Sequence, residues 1–374
     1  MAGIYIHIPF CKQQCTYCDF HFSTTFQKYR ERMLNAMLLE LKQRSDYCGD
    51  ATIETIYFGG GTPSLLSKEE ISSFLELIHA QFNVKPNAEI SLEANPDDCS
   101  EANLTNWKSI GINRLSIGVQ SFKSSDLEWM NRAHNAKEAE ECVRNAQTVG
   151  FRNITVDLMY GLPQLTEEEW RNHIQKVIDW QVPHVSSYCL TVEPNTLLER
   201  KVQSGELKVA NDEEESRQFE ILVEMLEKNG IEQYEISNFS KPGFESRHNS
   251  NYWKGVPYLG IGPSAHSFQG ISRQWNISNN AHYMRCIESG TCYYEVEMLS
   301  VDDRFNELLL TGLRTVYGVN LSQLTGIREL PKGFDDQLHQ FKKHGWMEEN
   351  ENHIFLTKSG RLRADFIASE LFIA

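Results

Sequence analysis

Cys11, Cys15 and Cys18 stand in the run HIPFCKQQCTYCDF, three thiols at C-x3-C-x2-C spacing on one short loop directly after an apolar strand. Thiolates are soft ligands that select zinc, copper or iron–sulfur clusters. Three of them this close together can hold three irons of a [4Fe–4S] cube and leave the fourth open, and a vacant position marks a site built for substrate or cofactor. The competing arrangement is a closed Cys3His zinc site completed by His21, although structural zinc more often pairs two knuckles from separate segments. Disulfides are a weaker reading. The nine cysteines are odd in number and scattered through a large chain that shows no secretory signal peptide, so reduced thiols in a cytosolic compartment are expected.

Elements able to position such a loop recur along the first half of the chain. Short β-rich runs, IYIHI (4–8), IETIYF (53–58), AEISLEA (88–94), RLSIGV (114–119), NITVDLMY (153–160) and HVSSYCLTV (184–192), alternate with longer helical stretches. Two of these are FQKYRERMLNAMLLELKQR and SKEEISSFLELIHAQF, the latter opening with Ser67 three residues before Glu70 as a capping box. Alternation of this kind predicts parallel βα units, α/β in class, arranged as a partial (β/α)6-type barrel whose closure at six or eight strands the sequence leaves open.

In such barrels chemistry collects beyond the carboxyl ends of the strands. The residues there are polar and glycine-rich: the cysteine loop, then Gly59, Gly60, Gly61, Thr62 and Pro63, then Glu93, Gln120, and Asp157 ahead of Tyr160 and Gly161. Three consecutive glycines remove every Cβ from a turn, so bare backbone can approach a ligand. A phosphate loop is the alternative, but no Gly-Lys-Ser/Thr follows and no G-x-G-x-x-G forms. Glu93, Gln120, Arg132 and Asp157 are individually ordinary polar residues; together they offer carboxylates, an amide and a cation at one end of the fold.

The C-x3-C-x2-C loop resembles the signature of the radical S-adenosylmethionine (SAM) superfamily. The resemblance implies that the methionyl amine and carboxylate of SAM occupy the open iron. It further implies a SAM site at Tyr5, Gly60, Gly61, Thr62, Glu93, Gln120, Arg132 and Asp157. These match the branch containing oxygen-independent coproporphyrinogen III oxidase through YIHIPFC, GGGTP, SLEANP, RLSIGVQSF and DLMYGLP, over nearly the whole chain. Two departures from the oxidase pattern stand out. Cys18 is followed by Asp19 and Phe20 rather than by a further cysteine two positions on, and Tyr5 already lies in the first strand where the oxidase carries a substantial preceding segment. What remains is similar to the heme chaperone HemW family. His248-Asn249-Ser250-Asn251-Tyr252-Trp253 reads as that family's H-N-x-x-Y-W motif and implies a heme site at His248, Tyr252 and Trp253. An imidazole can ligate heme iron and aromatic rings can cover a porphyrin face. Read without the family, the same six residues are an ordinary turn with two packing anchors.

Three regions are expected: a radical SAM partial barrel over 1–235, a connecting segment with the HNSNYW motif over 236–300, and a small domain over 301–374. In the last, a helix over 301–315, a second ending at Gly345, a hairpin around Glu348 to Asn352 and a final helix RLRADFIASELF are foreseen. A wing-like hairpin after helices suggests DNA binding, but nine Lys/Arg against eleven Asp/Glu in 301–374 disfavour it. The whole-chain formal charge of −15 likewise disfavours a phosphate-binding face. No apolar run approaches the roughly 18 to 20 residues that span a bilayer, so membrane contact would be peripheral. The resemblance therefore implies a cytosolic protein that binds heme, a [4Fe–4S] cluster and SAM and delivers heme to acceptor proteins, membrane-associated ones included. Coproporphyrinogen III decarboxylation, a radical SAM enzyme acting on RNA, and a zinc-stabilised binding module are the alternatives.

Overall fold

The computed structural model describes residues 1–373. Six parallel strands lie side by side in chain order: β1 (Ala2–Ile8), β2 (Ile53–Gly60), β3 (Val84–Ala94), β4 (Arg114–Gln120), β5 (Asn153–Tyr160) and β6 (His184–Cys189). Their period-2 alternation sorts side chains between two faces. Ile4, Ile6 and Ile8 of β1, with Phe58, Leu92, Leu115 and Ile154 on neighbouring strands, are buried in the main hydrophobic core. The intervening residues are polar. Register pairs His7 with Gly59 across β1 and β2, and aligns Glu93, Ser116, Thr155 and His184 as one row across β3 to β6.

The sheet does not close. Beyond β6 it continues antiparallel through β7 (Glu232–Glu235) and β8 (Asn238–Ser240), in the order β6-β8-β7. Beyond β1 it continues through β9 (Tyr258–Ile261), parallel to β1, and then antiparallel through β10 (His266–Phe268), β11 (Ser272–Asn276) and β12 (Tyr294–Met298). Twelve strands thus form one open, curved α/β architecture, a partial barrel. The segment 236–300, read from the sequence as a connection, supplies strands to both edges of that sheet. Strands this short, three to five residues from β8 to β12 and without strong alternation, carry little periodic signal of their own.

Helices cover the outer face. Arg30–Gln43 follows a 3-10 turn at Phe26–Lys28, and Lys68–Gln81 starts from Ser67, whose side chain and that of Glu70 exchange the two bonds of a capping box. From 301 onward a second hydrophobic core gathers Phe305, Leu309, Leu313, Phe334, Leu338 and Ile367. Around it lie helices Val301–Leu313 and Phe334–Lys343 and a hairpin, Met347–Asn350 with His353–Leu356, that turns at Glu351 and Asn352 in positive φ. The foreseen final helix is present but shorter. Within 361–372 it runs from Ala364 to Glu370, and a short helix, Lys358–Arg361, precedes it, with Arg363 N–H bonding the Gly360 carbonyl (2.8 Å) between the two. Among the described residues no helix is long and apolar enough to cross a membrane.

Candidate functional site

The chain leaves β1 at Pro9 and runs a loop that is pinned at several points before the first helix. Cys11 N–H bonds the Ser23 carbonyl and Ser23 N–H the Pro9 carbonyl, closing the loop on itself. Thr16 N–H reaches the Met130 carbonyl, Leu198 N–H reaches the Thr16 carbonyl, and the Asn131 side-chain amide donates to the Gln14 carbonyl. A loop fixed this way holds its three thiols without help from regular secondary structure.

Cys11, Cys15 and Cys18 line a cavity of about 510 Å³ at the carboxyl end of the sheet. Seven of the eight residues expected at the SAM site line the same cavity: Gly60, Gly61, Thr62, Glu93, Gln120, Arg132 and Asp157. Burial pushes the Cys11 thiol up to about 11 and the Cys18 thiol up to about 12, so without metal both are held neutral. Thr62 Oγ1 lies 3.5 Å from Cys11 Sγ, and Arg132 Nη1 lies 3.4 Å from Cys15 Sγ. Hydroxyl and guanidinium donors favour thiolates, which are what a cluster takes as ligands. Among the described residues no three such side chains converge as ligands of a single ion. A cube asks for something different, one thiolate to each of three separate irons around a shared space. His21, the fourth ligand of the zinc alternative, does not line this cavity; its Nε2 is 2.7 Å from Asn280 Oδ1 and its ring lines a second, larger one.

The glycine turn is shaped by close packing. Gly60 has φ +103°, and a Cβ there would lie 2.6 Å from the His7 ring; at Gly61 a Cβ would lie 2.7 Å from the carbonyls of Ile8 and Phe10. Gly60 N–H donates to Glu93 Oε2 (3.1 Å) and Tyr57 O–H to Glu93 Oε1 (2.9 Å). Burial, reinforced by the charge of Asp157, nevertheless raises Glu93 to about 7, against the pull of the Tyr57 and Gly60 bonds. Burial also raises Asp157 to about 6, although Ser116 Oγ donates to it (3.2 Å) and Arg132 draws it down. Two carboxylates with elevated pKa facing one cavity make a site that gains by receiving a cation.

Arg132 is braced by Asn95 Oδ1 (2.9 Å) and the Gly118 carbonyl (2.7 Å), and its buried Nε has no partner. Gly118 was missed from the sequence. Its missing side chain lets the Gln120 amide and the Arg132 guanidinium pass within 3.1 and 3.2 Å of where a Cβ would sit. Ser116, Asn95, Tyr188 and Cys189 also line the cavity unforeseen. Strand alternation identifies Ser116 in retrospect, because it shares the inward row with Glu93.

Tyr5 does not line this cavity, although its ring and Glu93 Oε1 come within 2.9 and 3.0 Å of where a Cβ on Gly59 would sit. Its hydroxyl is 3.2 Å from His7 Nδ1, and it lines the second cavity, of about 1220 Å³, between β1, β9, β10 and the unit that begins at residue 301. Tyr252 and Trp253 line that cavity too. His248 does not. It is buried under β1 and β2 with Nδ1 2.8 Å from Thr55 Oγ1, Nε2 2.9 Å from the Tyr252 hydroxyl, and its ring stacked on Tyr57. Burial lowers its pKa to about 3. Both ring nitrogens are already engaged, which the H-N-x-x-Y-W spacing could not reveal. Asp19 and Phe20, directly after the third cysteine, line both cavities.

Residues 5–177 match the radical SAM superfamily. A protein of Bacillus subtilis named heme chaperone HemW is 36% identical over 368 residues, covering 97% of this chain and 97% of that protein. The chain belongs to the HemW family of radical SAM proteins. The Escherichia coli protein of the same name is 37% identical over 269 residues, 71% of this chain and 69% of that one. The solved structure of coproporphyrinogen III oxidase (HemN) from Escherichia coli, 24% identical, superposes with a TM-score of 0.85 over 98% of this chain and 89% of that one, a likeness of fold. Membership of the superfamily brings a [4Fe–4S] cluster and SAM as cofactors, and the thiols and polar groups of the smaller cavity fit that pair.

Proposed function

We propose that the protein is a heme chaperone. It binds heme, holds a [4Fe–4S] cluster on Cys11, Cys15 and Cys18, and passes heme to acceptor proteins, including membrane-associated ones, from the cytoplasm. The observation that carries this reading is the match to the Bacillus subtilis heme chaperone over 97% of both chains. SAM belongs beside the cluster, against Gly60, Gly61, Thr62, Glu93, Gln120, Arg132 and Asp157. When bound, cluster and SAM together supply one-electron chemistry. The residues of this chain supply the rest. Arg132 is placed for a carboxylate, Glu93 and Asp157 for cationic or hydroxyl groups, and the glycine turn lets a ligand lie on bare backbone.

Heme belongs to the larger cavity, where Tyr252 and Trp253 offer aromatic faces to a porphyrin. This cavity adjoins the cysteine cavity through Asp19 and Phe20, so heme held there lies next to the cofactors. Phe20, rather than a cysteine, stands two positions after Cys18, which counts against the oxidase reading. The deciding experiment uses anaerobically purified protein with reconstituted cluster. Heme titration followed by mixing with an apo-acceptor should show a stable heme complex and transfer of its absorption band, and coproporphyrinogen III should remain unchanged. Decarboxylation of coproporphyrinogen III without heme transfer would replace this function by the oxidase.

A further inference from the structure

The larger cavity contains two polar side chains whose hydrogen-bonding capacity the protein leaves unused. His266, on β10, is solvent-exposed and lines the cavity, and among the described residues neither of its ring nitrogens has a hydrogen-bond partner in the protein. The other histidines on this wall are engaged. His7 bonds Tyr5 and the His21 carbonyl through its two nitrogens, His21 meets Asn280, and His353 lies 3.2 Å from Asn320. Arg304 also lines the cavity. Its buried Nε has no partner and its guanidinium forms no ion pair among the described residues, whereas neighbouring Arg273 is paired with Glu307 at 2.5 Å. The same cavity carries aromatic side chains, among which Tyr252 and Tyr258 meet edge to face at 4.6 Å and Phe268 lies beside Tyr258.

A free imidazole is a metal ligand and a free guanidinium is a carboxylate receptor; aromatic walls suit a flat macrocycle. The volume, about 1220 Å³, exceeds the roughly 300–1,000 Å³ of ordinary small-molecule sites. Resting on the heme reading above, we propose that His266 is the axial ligand of heme iron, that Arg304 receives a heme propionate, and that His248 is a positioning residue which holds Tyr252 on the cavity wall. The coordination bond uses the lone pair of a neutral imidazole. Partial desolvation against the cavity wall, with the charge of Arg273, lowers the pKa of this exposed ring and favours the neutral form that carries the lone pair. His248, stacked on Tyr57 and bonded at both nitrogens, would have to break its contacts with Thr55 or Tyr252 to reach a metal.

The test is hemin titration of the full chain with reconstituted cluster, read by the Soret band. In the His266→Ala protein the band should move and affinity fall by about tenfold or more, and added imidazole should restore the original spectrum. His266→Cys should give a thiolate-type spectrum instead. Arg304→Gln should keep the band, weaken heme binding, and lose the preference for heme over its dimethyl ester. His248→Ala should keep the band position. Iron and sulfide content should stay unchanged in all four proteins. A wild-type spectrum and affinity in His266→Ala, or a shifted band in His248→Ala or His21→Ala alone, would overturn the ligand assignment. Wild-type protein that takes up no heme would instead overturn the heme reading on which the assignment rests.

Discussion

Glu93 makes the SAM site testable by pH. Its folded-state pKa of about 7 stands well above the usual glutamate value of 4.5, because burial, with the nearby charge of Asp157, outweighs the bonds from Tyr57 and Gly60 N–H. The sign follows from linkage: a carboxyl whose pKa rises on folding binds its proton more tightly in the native state, so stability of the SAM-free protein declines as pH climbs from about 4.5 to about 7. At 1.36 kcal/mol per unit the loss amounts to about 3 kcal/mol, an upper bound because Glu93 faces a water-accessible cavity. SAM carries sulfonium and ammonium charges, and a cation beside Glu93 favours the ionised form. Binding should therefore release a proton below about pH 7, and the affinity at about pH 6 should be roughly tenfold weaker than at about pH 8. Asp157, at about 6, steepens the fall at the acid end. Calorimetry of SAM binding to cluster-loaded protein, repeated in buffers of different ionisation enthalpy, counts the proton directly. Glu93→Gln should bind SAM more weakly at pH 8, lose most of the pH dependence, and unfold at higher temperature than wild type in alkaline buffer. SAM affinity that is flat across this range in the wild type, with no proton released, would refute the placement of Glu93 against a cationic group.

Three further outcomes are expected. Cys15→Ala should leave one iron without its thiolate, so that iron and sulfide fall after anaerobic reconstitution, while Cys48, Cys99, Cys142, Cys189, Cys286 and Cys292 can each be replaced without that loss. Gly60→Ala forces a side chain into φ +103° and against the His7 ring, so thermal unfolding should report about 1–3 kcal/mol of destabilisation and SAM affinity should drop, whereas Gly205→Ala, with open space around it, should cost only about 1 kcal/mol. His248→Ala removes a buried ring and its bonds to Thr55 and Tyr252, so chemical denaturation should show a loss of about 2–4 kcal/mol with cluster content retained.

The cluster loop and the six parallel strands were legible in the amino-acid sequence because both are local: three thiols within eight residues, and alternation with a period of two that survives any tertiary arrangement. The polar ends of those strands were legible for the same reason, since a parallel sheet places every strand's carboxyl end on one side. Seven of the residues so identified do meet in one cavity. Tyr5 lines the second cavity, because β9 and β10 extend the sheet beyond β1 and open its ring to that side, while the same ring stays beside Gly59 and Glu93. Gly118 escaped notice because its significance lies in what passes over it, the Arg132 guanidinium arriving from another segment. His248 shows the limit most plainly. The spacing of His, Tyr and Trp places them on one short helix, Arg247–Trp253, but the partner of each imidazole nitrogen, Thr55 from 193 residues away and Tyr252 from the next turn, is set by packing. Whether an imidazole is free to bind metal depends on those long-range contacts, and in this fold they occupy His248 and leave His266 unengaged.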